Sequence, residues 1–164
     1  MAIKIGIIGA NGYIGLEIIR LLNFHPNAEI KYIYKHQNEI IDEFNHLKEF
    51  NLKTKQTNDI NKFKECDCVF LSLPENNSIE YINALIGKTK IINLGSDYRL
   101  NNKNLHNDYY SSSYNEKIQS QFVYGFIEKN ASAIKTSQNI SNPGCFALCA
   151  QLTILPIHDK IQKI

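Results

Sequence analysis

Two short stretches of this 164-residue chain hold residue types suited to chemistry. The first is Ser141-Asn142-Pro143-Gly144-Cys145, set between a short β-type run and a helical one. Placed there, Cys145 falls in the first turn of a helix, where unbonded N–H groups and the helix dipole favour a thiolate. The same N–H groups could hold an oxyanion on an acyl carbon bonded to sulfur. Pro143 and Gly144 fix the turn and clear space for a substrate. The plainer alternative is a buried, inert cysteine, the usual fate of a free thiol. Cys66, Cys68 and Cys149 are assigned to that alternative: two flank a buried strand and the third lies one turn into the helix. A Cys145–Cys149 redox pair is not favoured.

The second stretch is Gly9-Ala10-Asn11-Gly12-Tyr13-Ile14-Gly15, of the form G-x-x-G-x-x-G. It varies the G-x-G-x-x-G dinucleotide fingerprint and keeps its physics. Gly9 permits a tight turn out of a strand, Gly12 lets backbone approach a pyrophosphate, and Gly15 lets helix and strand pack closely. The helix that follows offers N–H groups and positive partial charge to phosphates. An ordinary strand-to-helix turn that tolerates glycine is the alternative. An NAD enzyme usually places an acid at the end of the second strand to bond the ribose hydroxyl. Here that end reads Tyr34-Lys35-His36, and Lys35 and His36 suit a 2′-phosphate instead, so NADP(H) is the expected cofactor. Two solvent-facing loop residues are the alternative.

The elements that must position these stretches follow from periodicity. Residues 3–8 are an apolar run ending at glycine and read as a buried parallel strand. Residues 13–24 carry Ile14, Ile18, Leu21 and Leu22 at helical spacing, and residues 29–34 alternate as a strand. That is a βαβ unit. Residues 36–65 have no firm period, with a short strand expected near 52–56. Strands are expected at 67–73, 90–94, 122–124 and 138–141, and helices at 78–86 and 128–135. Residues 101–121, rich in Asn, Ser and Tyr, read as one long loop. After Cys145 a helix should run to Leu155 and stop at Pro156. The alternation gives an α/β fold, a Rossmann-type doubly wound, mostly parallel sheet. Ligands of such sheets lie at the carboxyl ends of strands, where Gly9, Pro74, Gly95 and Gly144 stand.

Composition narrows the partners. Hydrophobic residues make up 43% of the chain, and the formal charge is +2, too balanced to imply nucleic acid. No run reaches the about 18 apolar residues of a membrane span. Lys4, Gly6 and Gly9 break the pattern of a signal peptide. The cysteine spacing fits neither a zinc site nor a disulfide framework, so no metal is expected and a reducing, cytoplasmic setting is.

Taken together the motifs resemble a known family. The glycine loop, Leu73-Pro74, Asn93-Leu94-Gly95-Ser96-Asp97-Tyr98-Arg99-Leu100, Val123-Tyr124-Gly125 and Ser141-Asn142-Pro143-Gly144-Cys145-Phe146 fall in an order and spacing similar to the N-acetyl-γ-glutamyl-phosphate reductases of arginine biosynthesis. A close variant of that family acts on the aminoadipyl analogue in lysine biosynthesis. The resemblance runs from Ile3 to about Ile157 and implies a mechanism. The Cys145 thiolate attacks an acyl phosphate and expels phosphate, and NADPH reduces the thioester to a semialdehyde. It also implies that the loop residues Gly9, Asn11, Gly12, Tyr13, Ile14 and Gly15 hold the pyrophosphate, with Leu73 and Pro74 beside the nucleotide. Ser96, Arg99 and Asn142 then lie on the substrate side, Arg99 holding an acidic substrate or serving as a structural ion pair.

The sequence departs from the family at Asn93 and Gly95, where a carboxylate and a hydroxyl are usual, at Phe126-Ile127, and at Leu148 in place of threonine. Members of the family run to roughly twice this length. The resemblance therefore implies an NADP-binding domain over 1–141 and the start of a catalytic domain over 142–164. The second, catalytic and dimerisation domain is then largely absent. A lone chain of this kind is expected to be inactive and to leave an apolar face exposed, while a full-length member is expected to be a homo-oligomer. Two other readings stay open: a non-catalytic dinucleotide-binding module, and an aspartate-semialdehyde-type enzyme, which the Asn142-Pro143-Gly144-Cys145 context disfavours.

Overall fold

The computed structural model describes residues 1–34 and 54–161. The chain begins in the middle of its sheet. Strand β1 (Ile3–Ile8) is followed by helix α1 (Tyr13–Asn23) and β2 (Ala28–Tyr34), which lies parallel to β1. Apolar residues on both faces of β1 leave it no edge position: Ile5, Ile7 and Ile8 are all buried. Gly6 is needed between them, because a Cβ there would lie 2.6 Å from the ring of the buried Phe63. Helix α1 turns Leu16, Ile18 and Ile19 inward.

The short edge strand β3 (Lys55–Gln56) pairs with β2, and the chain then crosses through α2 (Ile60–Phe63) to β4 (Cys68–Leu71) on the other side of β1. Helix α3 (Ile79–Leu85) and β5 (Lys90–Asn93) continue outward. Then come α4 (Lys103–Tyr109), α5 (Glu116–Gln119), β6 (Phe122–Tyr124), α6 (Ile127–Thr136) and β7 (Asn139–Ser141). Strand β7 inserts between β5 and β6, giving the order β3-β2-β1-β4-β5-β7-β6 with every pairing parallel. The direction of winding reverses between β1 and β4, where an open sheet leaves a crevice for a ligand.

Two apolar layers flank the sheet. One gathers Ile5, Ile7, Leu16, Ile19 and Ile33 under α1. The other gathers Ile8, Phe63, Ile82, Leu85, Tyr98 and Phe122 under α2, α3 and the β5–β6 connection, where Tyr98 and Phe122 stack at 5.2 Å. Helix α7 (Cys145–Ile154) follows β7 and contributes no buried residue to either layer.

The structure corrects the sequence at two places. Residues 101–121 are not one loop: α4 and α5 lie within them, each started by an asparagine. The Asn102 side chain accepts from the N–H groups of Asn104 and Leu105, and the Asn115 side chain from that of Ile118. The α-helix after Cys145 ends at Ile154 with Leu155 as its cap, as expected, but the chain continues beyond it in a 3₁₀ segment (Leu155–Lys160) whose first turn holds Pro156, where its missing N–H has no cost. Of the strand expected near 52–56, only Lys55–Gln56 falls within the described residues. The strand expected at 67–73 spans Cys68–Leu71.

Candidate active site

The glycine loop closes tightly around β1. Gly9 has φ +82°, and a Cβ there would collide with the Ser72 carbonyl beyond β4. A Cβ on Gly15 would collide with the carbonyl of Gly9 and lie 2.8 Å from the Ala10 Cα. The N–H groups of Gly9 and Ala10 both donate to the Tyr34 carbonyl at 3.2 Å, tying the loop to the end of β2. Gly12 differs: the nearest atom to a Cβ there is 3.7 Å away, so its missing side chain opens space rather than allowing packing. Gly12 caps α1 with no side chain to bond its first turn, and no acid stands there, which suits an anion at this helix end.

A groove of about 330 Å³ opens there, lined by Gly12, Tyr13, Ile14, Ser72, Leu73, Pro74 and Leu94. It brings three of the sequence-selected loop residues, Gly12, Tyr13 and Ile14, together with Leu73 and Pro74; Gly9, Asn11 and Gly15 are not among its lining. Asn11 sits half-buried in the same loop. Ser72 and Leu94 were not singled out by sequence; each directly follows an apolar strand, which is the signal that would have found them. Lys35 and His36 lie outside the described residues. The groove's shape and its uncapped helix end fit a dinucleotide pyrophosphate.

The segment after β5 forms a braced turn. Asn93 is fully buried, its side-chain amide donates to the Asp97 carbonyl at 2.8 Å, and its oxygen accepts from the Gly95 N–H at 3.1 Å. An aspartate could accept the second bond but not donate the first. Gly95 is packed to the same purpose: a Cβ would lie 2.9 Å from the Leu73 carbonyl and 3.0 Å from Ser78 Oγ. The two departures from the resembled family therefore match each other. Ser96 lies half-buried at the crest of this turn.

Arg99 joins this turn to the cysteine. Its Nε–H donates to the Asn142 carbonyl and its Nη2–H to the Leu94 carbonyl, both at 2.7 Å. Its Nη1 stands 3.2 Å from where a Gly144 Cβ would be. The Asn142 N–H donates to the Asn93 carbonyl at 2.8 Å. Asn142 thus works here through its backbone, and Arg99 is braced by backbone rather than by a carboxylate. Beyond it, Gly144 caps α7 without a side-chain bond or a first-turn acid, and Cys145 is exposed at the first helical position. Cys149, expected to be buried, is exposed as well. Cys66 and Cys68 are buried as expected.

Among the described residues no three of His, Cys, Asp and Glu gather as a metal site, and no helix is long and apolar enough to cross a membrane.

A wound parallel sheet with a glycine-loop groove at its switch point defines a dinucleotide-binding domain. Residues 4–137 match the semialdehyde dehydrogenase, NAD-binding domain family, and the chain belongs to that family. Similar proteins include the N-acetyl-gamma-glutamyl-phosphate reductase of Campylobacter hominis, 35% identical over 98% of this chain and 49% of that protein. The LysW-L-2-aminoadipate/LysW-L-glutamate phosphate reductase of Pyrococcus horikoshii is 34% identical over 99% of this chain and 48% of that protein. The chain spans about half the length of these relatives. In fold it is similar to aspartate semialdehyde dehydrogenase II of Vibrio cholerae (TM-score 0.67, 16% identity, 98% of this chain and 48% of that one). It is also similar to the aspartate semialdehyde dehydrogenase of Candida albicans solved with NADP (TM-score 0.61, 17% identity, 100% and 49%).

Proposed function

We propose that this chain is the cofactor-binding, thiol-bearing half of an NADPH-dependent acyl-phosphate reductase acting on N-acetyl-γ-glutamyl phosphate, with Cys145 as the acyl acceptor. The observation that carries the reading is the Arg99 bridge: one guanidinium bonds Leu94, which lines the nucleotide groove, and Asn142, which begins the cysteine turn. The bridge couples the groove wall to the start of the cysteine turn, which supports a reaction shared between sulfur and cofactor.

The Cys145 thiolate forms a bond to the acyl carbon, and the carbon–oxygen bond to phosphate breaks, phosphate leaving with the electron pair. The free N–H groups of the first turn of α7 stabilise negative charge on the acyl oxygen. A nicotinamide bound in the groove would supply a hydride to the thioester carbon; the carbon–sulfur bond then breaks, its electron pair returning to the Cys145 thiolate as the aldehyde leaves. Gly12, Tyr13 and Ile14 hold its pyrophosphate, Leu73, Pro74 and Leu94 flank it, and Lys35 and His36 select NADPH over NADH. Ser96 and the free Nη1 of Arg99 face the departing phosphate. On this reading residues 1–141 are the cofactor domain and 142–164 open the catalytic one, within a homo-oligomeric cytoplasmic enzyme. The relatives' names support the aminoadipyl analogue as an alternative substrate.

Incubating the chain with N-acetyl-γ-glutamyl phosphate and reading intact mass tests this. The expected result is a single acylation without turnover, with release of one phosphate and one acyl group on Cys145, absent from Cys145→Ala, together with saturable NADPH binding tighter than NADH. Dinucleotide binding with no adduct would leave a binding module and sink the catalytic reading.

A further inference from the structure

Helix α7 carries Cys145 as its first residue, yet packing does little to hold the helix in place. None of its residues is buried. Two cavities, of about 420 and 370 Å³, open where it meets β6, and both are lined by Tyr124 of β6 and Gln151 of α7. A contact with voids on either side is not fixed by close packing.

Hydrogen bonds supply what packing does not. Arg99 holds the Asn142 carbonyl at 2.7 Å, and the Asn142 N–H reaches the Asn93 carbonyl at 2.8 Å. These bonds fix the approach to α7 at one end, which leaves its roll free. Among the described residues, the side-chain hydrogen bond that joins α7 to the sheet is made by Gln151, whose amide N–H donates to the Tyr124 hydroxyl at 2.9 Å. Tyr124 pairs with Ser141 across β6 and β7, and the Gly125 N–H donates to the Ser141 carbonyl at 2.9 Å. The tyrosine is therefore rooted beside the strand that delivers the cysteine turn. Gln151 lies about 9 Å along the helix axis from Cys145 and about 120° around it. Cys145 stands off the anchored side, so any roll of α7 swings the thiol.

The bond is a poor choice for stability alone. Gln151 Oε1 is covered and has no partner. An orphaned buried oxygen costs more than one neutral hydrogen bond returns. A methionine would fill similar length without that cost. A residue that gives up stability for a directional contact marks a functional constraint.

We propose that Gln151 and Tyr124 are positioning residues whose bond fixes the roll of α7 and so aims the Cys145 thiol at the acyl carbon. The inference rests on the reading of Cys145 as acyl acceptor.

The test is the rate at which N-acetyl-γ-glutamyl phosphate acylates Cys145, followed by mass in the native chain, Gln151→Met, Tyr124→Phe and the double variant. Each single variant should acylate roughly tenfold more slowly, as a misplaced nucleophile does. The double variant should be no slower than the slower single one, because both remove the same tie. Melting temperature should not follow the rate. Gln151→Met sheds the orphaned oxygen and should melt at or above the native temperature, whereas Tyr124→Phe leaves the whole Gln151 amide unpaired and should melt below it. Alkylation of Cys149 by iodoacetamide should keep its native rate throughout, since the helix turns without unfolding. Slow acylation confined to Tyr124→Phe, losses that multiply in the double variant, or faster alkylation of Cys149 in Gln151→Met would overturn the role in aiming the thiol. Native acylation in both single variants would sink the tie alone; no acylation of the native chain would sink the reading of the thiol and the tie with it.

Discussion

The four cysteines divide by their surroundings. Burial pushes the Cys66 and Cys68 thiols from 9.0 up to about 11, while Cys145 and Cys149 stand in the open on α7. At pH 8 a thiol reagent should therefore modify the two exposed cysteines quickly and the two buried ones only after unfolding in urea, as an absorbance titration reads directly. Because the folded chain binds the two buried protons more tightly than the unfolded one, their stabilising effect is whole below pH 9.0 and is lost as pH rises through about 11. Melting temperature should fall across that window more steeply in the native chain than in Cys66→Ala/Cys68→Ala. The glycine loop and Cys145 were legible in the sequence because each motif sits at a strand end. Arg99 was harder. A guanidinium invites a carboxylate partner, yet here it satisfies two backbone carbonyls brought together only by the neighbouring of β5 and β7. Replacing it with Met should strand both carbonyls and cost about 2 kcal/mol in a urea titration.

At the scale of elements, what was readable depended on length and apolar content. Strands β1, β4 and β5 announced themselves as apolar runs, as buried parallel strands do, and β2 by its alternation. Helices α4 and α5 escaped, since a single turn to two turns cannot show a period and the segment is crowded with Asn and Ser. Their signal lay in the caps: Asn102 ahead of Leu105, and Asn115 ahead of Glu116 and Ile118. Asn102→Ala should destabilise the chain by about 1 kcal/mol in chemical denaturation, because two N–H groups lose their acceptor. Helix α6 was legible, but the kink at Asn130 was not; its side chain turns back to the Tyr124 carbonyl at 2.9 Å, a contact no local pattern encodes.

At the scale of the molecule, the centre of the sheet and the helix after it are finished differently. Around β1 the chain is packed on both faces, whereas α7 presents Phe146 at 89% exposure and Leu152 at 41%, followed by Ile157 at 49%. An apolar surface left open in this way favours association. Light scattering of the chain should show mass rising with concentration, and Phe146→Ser/Leu152→Gln should restore a monomer. Strand order carries a different consequence, for how the chain comes to be folded. Strand β6 is made before β7 yet touches the sheet only through it. During synthesis β6 must wait, unpaired, until residues 139–141 emerge and slot in beside β5. The family match ends at residue 137, so a chain ended there would keep β6 but never seat it. Completion of the sheet and delivery of the cysteine turn are thus a single event in the life of the chain.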